Sequence, residues 1–596
     1  MKKLLTGNEA VARGAYEAGV VFASAYPGTP STEILENIAP YKEDIIAEWA
    51  PNEKVALESA IGASIAGARS LAVMKHVGVN VAADPLFTFA YTGVTGGTIL
   101  VTADEPGMHS SQNEQDNRYY AKFAKIAMIE PSNSQEAKDM VKEAMIISEQ
   151  YDTPVLFRMT TRICHSKTIV QFGERENAVK KPYVKNLQKY DAVPSVAREL
   201  HKKVETRLIK LEEYSNNSPL NYFEWNDKKI GIVSSGISFQ YAKEVFKDSV
   251  SYLKLGYTYP LPFKKIKEFA DQVETLYVIE ELEPFIEEQI KARGIQCIGK
   301  DKLSNQGEFN PDIIAKSLLN KSHETIEYDS SDIVSRPPTF CAGCPHRGLF
   351  YELGKRKNIM IAGDIGCYGL SGFAPLNAKD TTICMGASVS MAHGAQKIFN
   401  RYDENIRAVA TIGDSTFFHT GINSMLDVIY NRGNSITIIL DNRITGMTGQ
   451  QDHPGTGYTL QGMPTTTIDI ADLIRAMGVK NLRVINPNDL NEVNKSIDWA
   501  LAIEDEPSVI ITRWPCALKK YSPQDLEEFG PINSKCIIDE DACIGCKKCV
   551  KTGCPALIYD SEKHKVNIDP VQCVGCEVCM QTCPVDAISK VGVKND

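Results

Sequence analysis

The stretch Ala408–Asn442, "AVATIGDSTFFHTGINSMLDVIYNRGNSITIILDN", decides the fold. An apolar run ends at Ile412, Gly413 and Asp414 turn the chain, and the spacing predicts a helix from about Thr416 to Asn431 that Gly433 stops. A second apolar run then ends at Asp441 and Asn442. That is one strand–helix–strand unit, and such a crossover makes its two strands parallel. Asp414 and Asn442 therefore leave the sheet at the same edge, outside the carboxyl ends, where open α/β sheets bind ligands. A carboxylate, an amide oxygen and a nearby backbone carbonyl form a partial shell for Mg²⁺, which completes its octahedron with phosphate oxygens. Gly413 leaves room for backbone to approach a phosphate, and the helix start adds positive partial charge. Ordinary turns also favour Asp and Asn, so the pair alone does not decide the chemistry.

The same pattern extends outward. "SLAVMKHVG", "GTILVTAD", "TPVLFRMT", "KIGIVSSG" and "TLYVIEEL" are further short apolar runs between amphipathic stretches, the alternation of layered α/β folds. A chain of 596 residues is too long for one core, since single cores stop growing near ~250–300 residues. Breaks in composition divide it into blocks at about 1–190, 191–330, 331–525 and 526–596, with a charged helical linker opening the second. Net charge is −10 with no long basic tract, which argues against nucleic acid. The apolar run of "MKKLLTGNEA" stops at Leu5, too short for a secretory signal, and no run approaches the ~18 residues of a spanning helix. The expected location is the cytoplasm, away from membranes, where thiols stay reduced and clustered cysteines mean metal more often than disulfides.

Eight of the 16 cysteines fall in the last 54 positions. Cys573-x2-Cys576-x2-Cys579-x3-Cys583-Pro584 has the bacterial ferredoxin spacing for a [4Fe–4S] cluster. Three thiolates two residues apart can wrap one corner of a cubane, and the fourth ligand comes from the other run. Cys543, Cys546, Cys549 and Cys583 are thus expected to hold one cluster, and Cys573, Cys576, Cys579 and Cys554 the other. Four residues, not three, separate Cys549 from Cys554, so an extra turn is expected at Thr552-Gly553. Zinc takes Cys-x2-Cys pairs separated by a longer loop, which these triplets do not form. Cys536 reads as a spare. The tail is then an electron wire, and something upstream must produce the electrons.

Gly413, Asp414 and Asn442 resemble the thiamine diphosphate motif, Gly-Asp-Gly followed some way on by Asn, with Ser415 in place of the second glycine. "NEKVALESAIGASIAGARS" resembles the partner domain that supplies a glutamate to the aminopyrimidine ring, with Glu53 at the helix start and Glu48 and Glu58 as rivals. Together with "SAYPGTPSTEI", "FCAGCPHRGLF", "GDIGCYGL" and the cysteine tail, in this order, the whole chain resembles the 2-oxoacid:ferredoxin oxidoreductases, and among them the large subunits acting on indolepyruvate.

The resemblance implies two thiamine diphosphate-binding α/β domains, a transketolase C-terminal-like α/β domain between them and a two-cluster ferredoxin domain at the end. It implies thiamine diphosphate, Mg²⁺ and two [4Fe–4S] clusters. Glu53 would promote the tautomer that deprotonates the thiazolium ring, and the backbone oxygen of Ile444 would join Asp414 and Asn442 on Mg²⁺. Cys344, His346, Gly366, Cys367 and Gly386 correspond to cofactor-contact positions. Cys341 and Cys344 form a lone Cys-x2-Cys without a second pair, so no third metal is expected there. Thr29, His109 and Arg118 correspond to positions facing the oxoacid. The implied reaction is oxidative decarboxylation of an aryl 2-oxoacid with CoA, the electrons passing to ferredoxin. The implied partner is a small beta subunit carrying the missing gamma-type domain, in a heterotetramer of two large and two small subunits. A sister enzyme for pyruvate, 2-oxoglutarate or branched oxoacids, and a non-catalytic electron-transfer subunit, are the alternatives.

Overall fold

The computed structural model describes residues 1–322, 326, 328–532 and 534–592. They divide into two compact units, Met1–Tyr328 with Leu460–Gly462, and Asp329–Thr459 with Met463–Asp596.

In the first unit a seven-stranded sheet runs Tyr257–Tyr259, Ala127–Ile129, Val155–Thr160, Thr98–Asp104, Ser70–Lys75, Phe22–Ala25, Ile46–Trp49. Six of these strands are parallel. Thr98–Asp104 and Val155–Thr160 are buried along their whole length, which is why they read as continuous apolar runs. Successive side chains still part to opposite faces: Ile99 and Val101 pack with Val11 and Leu35, while Leu100 packs with Leu57 and Ala72. The seventh strand, Tyr257–Tyr259, pairs antiparallel with Ala127–Ile129 and comes from the chain segment after the linker helix Pro194–Asn217. That segment also builds its own four-stranded sheet, in the order Thr275–Ile279, Ile230–Ser235, Ser251–Leu255, Tyr222–Glu224.

The second unit holds a five-stranded parallel sheet ordered Ile359–Ala362, Arg407–Gly413, Ile436–Asp441, Ser508–Arg513, Asn481–Ile485. The opening stretch supplies two neighbouring strands near its middle, with Gly413 opposite Leu440. The intervening helix is not uniform: it begins at Asp414, widens into a π-turn over Phe417–Gly421, and continues as α-helix to Tyr430. The widened turn brings Thr420 against Gly386, where a Cβ would sit 1.9 Å from Thr420 Oγ1. Such turns are frequent at functional sites. The tail is two small antiparallel pairs, Ser534–Ile538 with Ile588–Gly592 and Leu557–Asp560 with Lys565–Ile568. This α/β architecture with a ferredoxin-like end is the one expected from the sequence.

Candidate functional site

In the first unit, Asn52 caps the helix Glu53–Ile65 by accepting from the Val55 N–H at 2.9 Å. Glu53 is the first helical residue and is 4% exposed, deeper than a first-turn acid placed only to match the helix dipole needs to be. A Cβ on Gly78 would lie 2.9 Å from Glu53 Oε1, so the glycine makes room for this carboxylate. Lys75 stands close by: burial lowers its pKa, and Glu105 and Glu53 oppose that. Gly28, the residue before half-buried Thr29, backs onto the Lys75 stem, with its Cβ position 3.1 Å from Lys75 Cγ. Thr29's loop and Glu53 therefore share one lysine. Burial pulls the neighbouring His76 down to about 4, with Lys75 adding to the effect. Glu48 is half-buried, which raises its pKa, and Glu58 is exposed and paired with Lys54. Among the three candidate acids, Glu53 is the buried one.

One substrate-facing expectation is corrected here. Arg118 is 1% exposed and fully engaged: Nε donates to Asp116 at 2.8 Å, Nη1 to Glu280 at 2.5 Å, and Nη2 to the carbonyls of Glu281 and Glu283 at 2.9 Å. It is a core strut, and apart from Asp116 its partners lie 162 or more residues along the chain, out of reach of any local reading. His109 is exposed and lies 3.5 Å from Glu308.

In the second unit the predicted residues converge. Asp414, 2% exposed, accepts from the Ser415 N–H at 2.8 Å through Oδ1 and from the Asn442 N–H at 3.1 Å through Oδ2. Asn442 Oδ1 accepts from the Ile444 N–H at 3.1 Å, and its Nδ2 lies 3.4 Å from His346 Nε2. His346 is buried, which drops it to about 4 and leaves a neutral ring beside the carboxylate. Tyr368 forms the floor: a Cβ on Gly366 or Gly413 would lie 2.3 or 2.8 Å from its ring. Gly386 joins through Asp364, whose carboxylate accepts from the N–H groups of Ile365, Gly386 and Ser388 at 2.8, 2.8 and 3.0 Å. This donor set, an acid and an amide side by side at the carboxyl edge of a parallel sheet, could hold Mg²⁺ and a diphosphate. Sequence reasoning missed Asp364, legible as the acid inside "GDIGC". It also missed His453, whose Nε2 lies 3.2 Å from Asp414 Oδ2 and which no spacing announces.

Two further thiols lie near the Cys341–Cys344 pair. The Cys516 N–H donates to the Asn442 carbonyl at 2.9 Å, bringing Cys516 to the same edge. Burial pushes the Cys367 thiol up to about 11, with Cys516 and Cys341 adding to it. Cys344 is raised further by burial, with Cys367 and Cys516 contributing, and Cys516 is raised by burial with Cys341 and Asp414 contributing. Four thiols thus share one neighbourhood.

The tail presents a cavity whose walls include Cys543, Cys546, Cys549 and Cys583, three thiols from one run and one from the other, among apolar side chains. In the second set, burial raises Cys576 to about 11, and the nearby thiols of Cys554 and Cys536 add to it. The two runs use the same turn. Val550–Thr552 and Met580–Thr582 are single 3₁₀ turns, and the Thr552 and Thr582 hydroxyls donate to the Cys549 and Cys579 carbonyls at 2.6 and 2.8 Å. The extra residue of the first run is Gly553, left-handed at φ 72°, which resets the chain before Cys554. Cys536 is not idle: its N–H donates to Cys573 Sγ at 3.3 Å. No three of the described His, Cys, Asp and Glu side chains converge as tightly as a single metal ion demands. A cubane spreads its thiolates more widely, so both thiol sets in the tail suit a cluster and not a lone zinc.

A buried acid beside a helix start, an acid–amide pair at a parallel sheet edge and a ferredoxin-like tail define a thiamine-dependent oxidoreductase that moves electrons through iron–sulfur centres. Residues 13–217 match the family described as "Pyruvate flavodoxin/ferredoxin oxidoreductase, thiamine diP-bdg". Residues 364–512 match "Thiamine pyrophosphate enzyme, C-terminal TPP binding domain", and residues 539–587 match "4Fe-4S dicluster domain". The indolepyruvate oxidoreductase subunit IorA of Pyrococcus abyssi is 41% identical over 99% of this chain and 97% of its own length. That of Archaeoglobus fulgidus is 41% identical over 98% and 97%. The chain belongs to the 2-oxoacid:ferredoxin oxidoreductase family, as an indolepyruvate oxidoreductase alpha subunit. The 2-oxoglutarate synthase subunit KorA of Archaeoglobus fulgidus is more distant, at 24% identity over 47% of this chain and 87% of its own length.

Proposed function

We propose that the chain catalyses oxidative decarboxylation of aryl 2-oxoacids such as indolepyruvate: 2-oxoacid + CoA + two oxidised ferredoxins give acyl-CoA + CO2 + two reduced ferredoxins + H⁺. The observation that carries this reading is that one chain joins a thiamine-type acid–amide pair, Asp414 and Asn442, to a dicluster tail. Thiamine diphosphate, when bound, supplies the carbanion chemistry at the keto carbon. Glu53 holds and returns the proton that the aminopyrimidine ring needs. Asp414, Asn442 and the Ile444 carbonyl hold Mg²⁺ against the two phosphates, and neutral His346 lets Asn442 present its oxygen without a competing charge. Thr29 orients the oxoacid. Cys344, Gly366, Cys367 and Gly386 keep backbone close to the cofactor.

Three metal clusters, not two, account for the thiols. Cys341, Cys344, Cys367 and Cys516 are proposed to hold a further [4Fe–4S] cluster at the diphosphate edge. The support is the shared neighbourhood of the four thiols and a repeated turn: Gly343 in Cys341–Cys344 is left-handed at φ 70°, as are Gly545 at 65° and Gly575 at 68° in the two tail runs. A small subunit with the gamma-type domain completes a complex of two large and two small chains and helps to receive CoA.

The test is an anaerobic assay of CoA-dependent ferredoxin reduction with indolepyruvate, phenylpyruvate, pyruvate, 2-oxoglutarate and a branched oxoacid, with and without the small subunit. Arylpyruvates should dominate and require the partner. Preference for 2-oxoglutarate or pyruvate would replace the substrate reading with its sister one, and turnover by the lone chain would remove the partner. Glu53→Gln should keep the cofactor yet slow exchange of its thiazolium proton by ~10²–10⁴-fold, the range for general acid–base catalysis.

A further inference from the structure

Arg347 is 1% exposed, and no carboxylate is within ion-pair distance among the described residues. Its donors go to backbone carbonyls only: Nη1 to Thr552 at 2.9 Å, and Nη2 to Phe340 and Cys341 at 2.9 and 2.8 Å. Its Nε has no acceptor. A guanidinium is a permanent cation in proteins, and a buried cation without an anion is strongly disfavoured. Carbonyl dipoles offset part of that cost, and a nearby anion would offset the rest. Two thiol runs border Arg347: Nη2 bonds the Cys341 carbonyl, and Nη1 bonds the Thr552 carbonyl of the turn that leads to Cys554. Nη1 lies 3.5 Å from the Cβ position of Gly553, the residue before Cys554. Val574, between Cys573 and Cys576, packs directly on Gly343, whose added Cβ would fall 2.0 Å from Val574 Cγ2.

We propose that Arg347 is the counter-charge of the cluster held by Cys554, Cys573, Cys576 and Cys579, and that it raises the reduction potential of this cluster above that of the other tail cluster. The inference rests on the ligand sets given above. A cubane with four thiolates is an anion that gains one more negative charge on reduction, so a fixed cation beside it favours the reduced form. The other tail site has only a weaker equivalent: Lys565 Nζ donates to the Cys543 carbonyl, but Lys565 is half-buried and more open to solvent than Arg347. Its cavity is lined by Ile538, Ile544, Val566 and Ile588, and the one cation on its wall, Lys547, is exposed and therefore screened. Backbone hydrogen bonding does not separate the two sites: Cys573 Sγ accepts from the Cys536 N–H and Cys583 Sγ from the Ala587 N–H, both at 3.3 Å. Glu577, next to Cys576, is half-buried and paired with Lys590, which limits its opposing influence. The step is a one-electron reduction of the tail cluster, the electron originating at the thiamine centre and ending on ferredoxin.

The experiment is a redox titration followed by electron paramagnetic resonance on the full chain with its small subunit, for wild type, Arg347→Gln and Arg347→Lys, after iron and acid-labile sulfide are counted. Cys573→Ser identifies the signal by removing it. Cys554→Ser tests the ligand set separately: if it keeps all its iron and an unaltered signal, the ligand reading fails before any potential is measured. Arg347→Gln should make reduction of the identified cluster at least tenfold less favourable, 59 mV for one electron, and move the other by under threefold. Arg347→Lys should stay within threefold of wild type. Unchanged potentials in Arg347→Gln at full iron content, or equal shifts in both variants, would overturn the proposal. If Arg347→Gln does not hold iron, Arg347→Lys decides alone, because it keeps the charge and loses the carbonyl network: a wild-type potential supports the counter-charge and a tenfold fall overturns it.

Discussion

The loop at Cys341–Cys344 and the tail at Cys543–Cys583 begin with the same turn and complete their thiol sets differently. In each Cys-x-Gly-Cys the glycine is left-handed, and in each a Cβ would strike a neighbour: Val574 for Gly343, the His564 carbonyl for Gly545 and the Ser534 carbonyl for Gly575. The tail then finds its remaining thiols within two short runs that exchange one residue. The loop finds them on two other segments of its unit, Cys367 after one strand and Cys516 after another. The difference teaches that a turn sets local thiol spacing, whereas the sheet edge sets which chemistry the thiols sit beside. Cys516, of the loop set, lies near Asp414.

The largest test removes one thiol from each region. Wild type should carry about twelve irons per chain, and Cys576→Ser and Cys344→Ser should each lose about four. Eight irons in wild type, with no change in Cys344→Ser, would break the likeness. Next, Asp414→Ala should release thiamine diphosphate, since the phosphates lose their counter-ion, while the tail iron stays; cofactor extraction alongside iron analysis reads both. Full cofactor content would detach the loop region from the diphosphate. Third, Gly343→Ala should lower stability by about 1–3 kcal/mol, from left-handed strain and the Val574 clash together, seen as a lower midpoint in thermal unfolding. Gly394→Ala, a helical position with open space around it, should be neutral or stabilising. The smallest is Thr552→Val, which removes a buried hydroxyl bond to the Cys549 carbonyl and should cost about 1 kcal/mol. The same change at half-buried Thr582 should cost less, and equal effects would show that the two runs are loaded alike.

What could be read from the chain alone follows from sequence distance. The strand–turn–helix at Gly413–Asp414 and both tail runs were legible because their partners lie within a few residues or in a near-copy. The buried face of Glu53 was legible because a capped helix start fixes it. Arg118 was misread because its carboxylate partner Glu280 and the carbonyls it binds belong to another sheet's loops. Cys516 and His453 carry no spacing signal at all: parallel strands bring their ends together only after the sheet order is known. The π-turn at Phe417–Gly421 was equally hidden, since its cause is the close approach of Gly386 and not its own residues.

The strand Tyr257–Tyr259 gives the first sheet a border that its own half of the chain does not provide. Cut the chain at the linker, and Ala127–Ile129 would be left with open N–H and C=O groups along a buried, apolar edge. Such an edge recruits strands from other molecules. The amino-terminal part made by itself is therefore expected to precipitate, and during synthesis it would wait, with one sticky rim, until the strand Tyr257–Tyr259 had emerged from the ribosome.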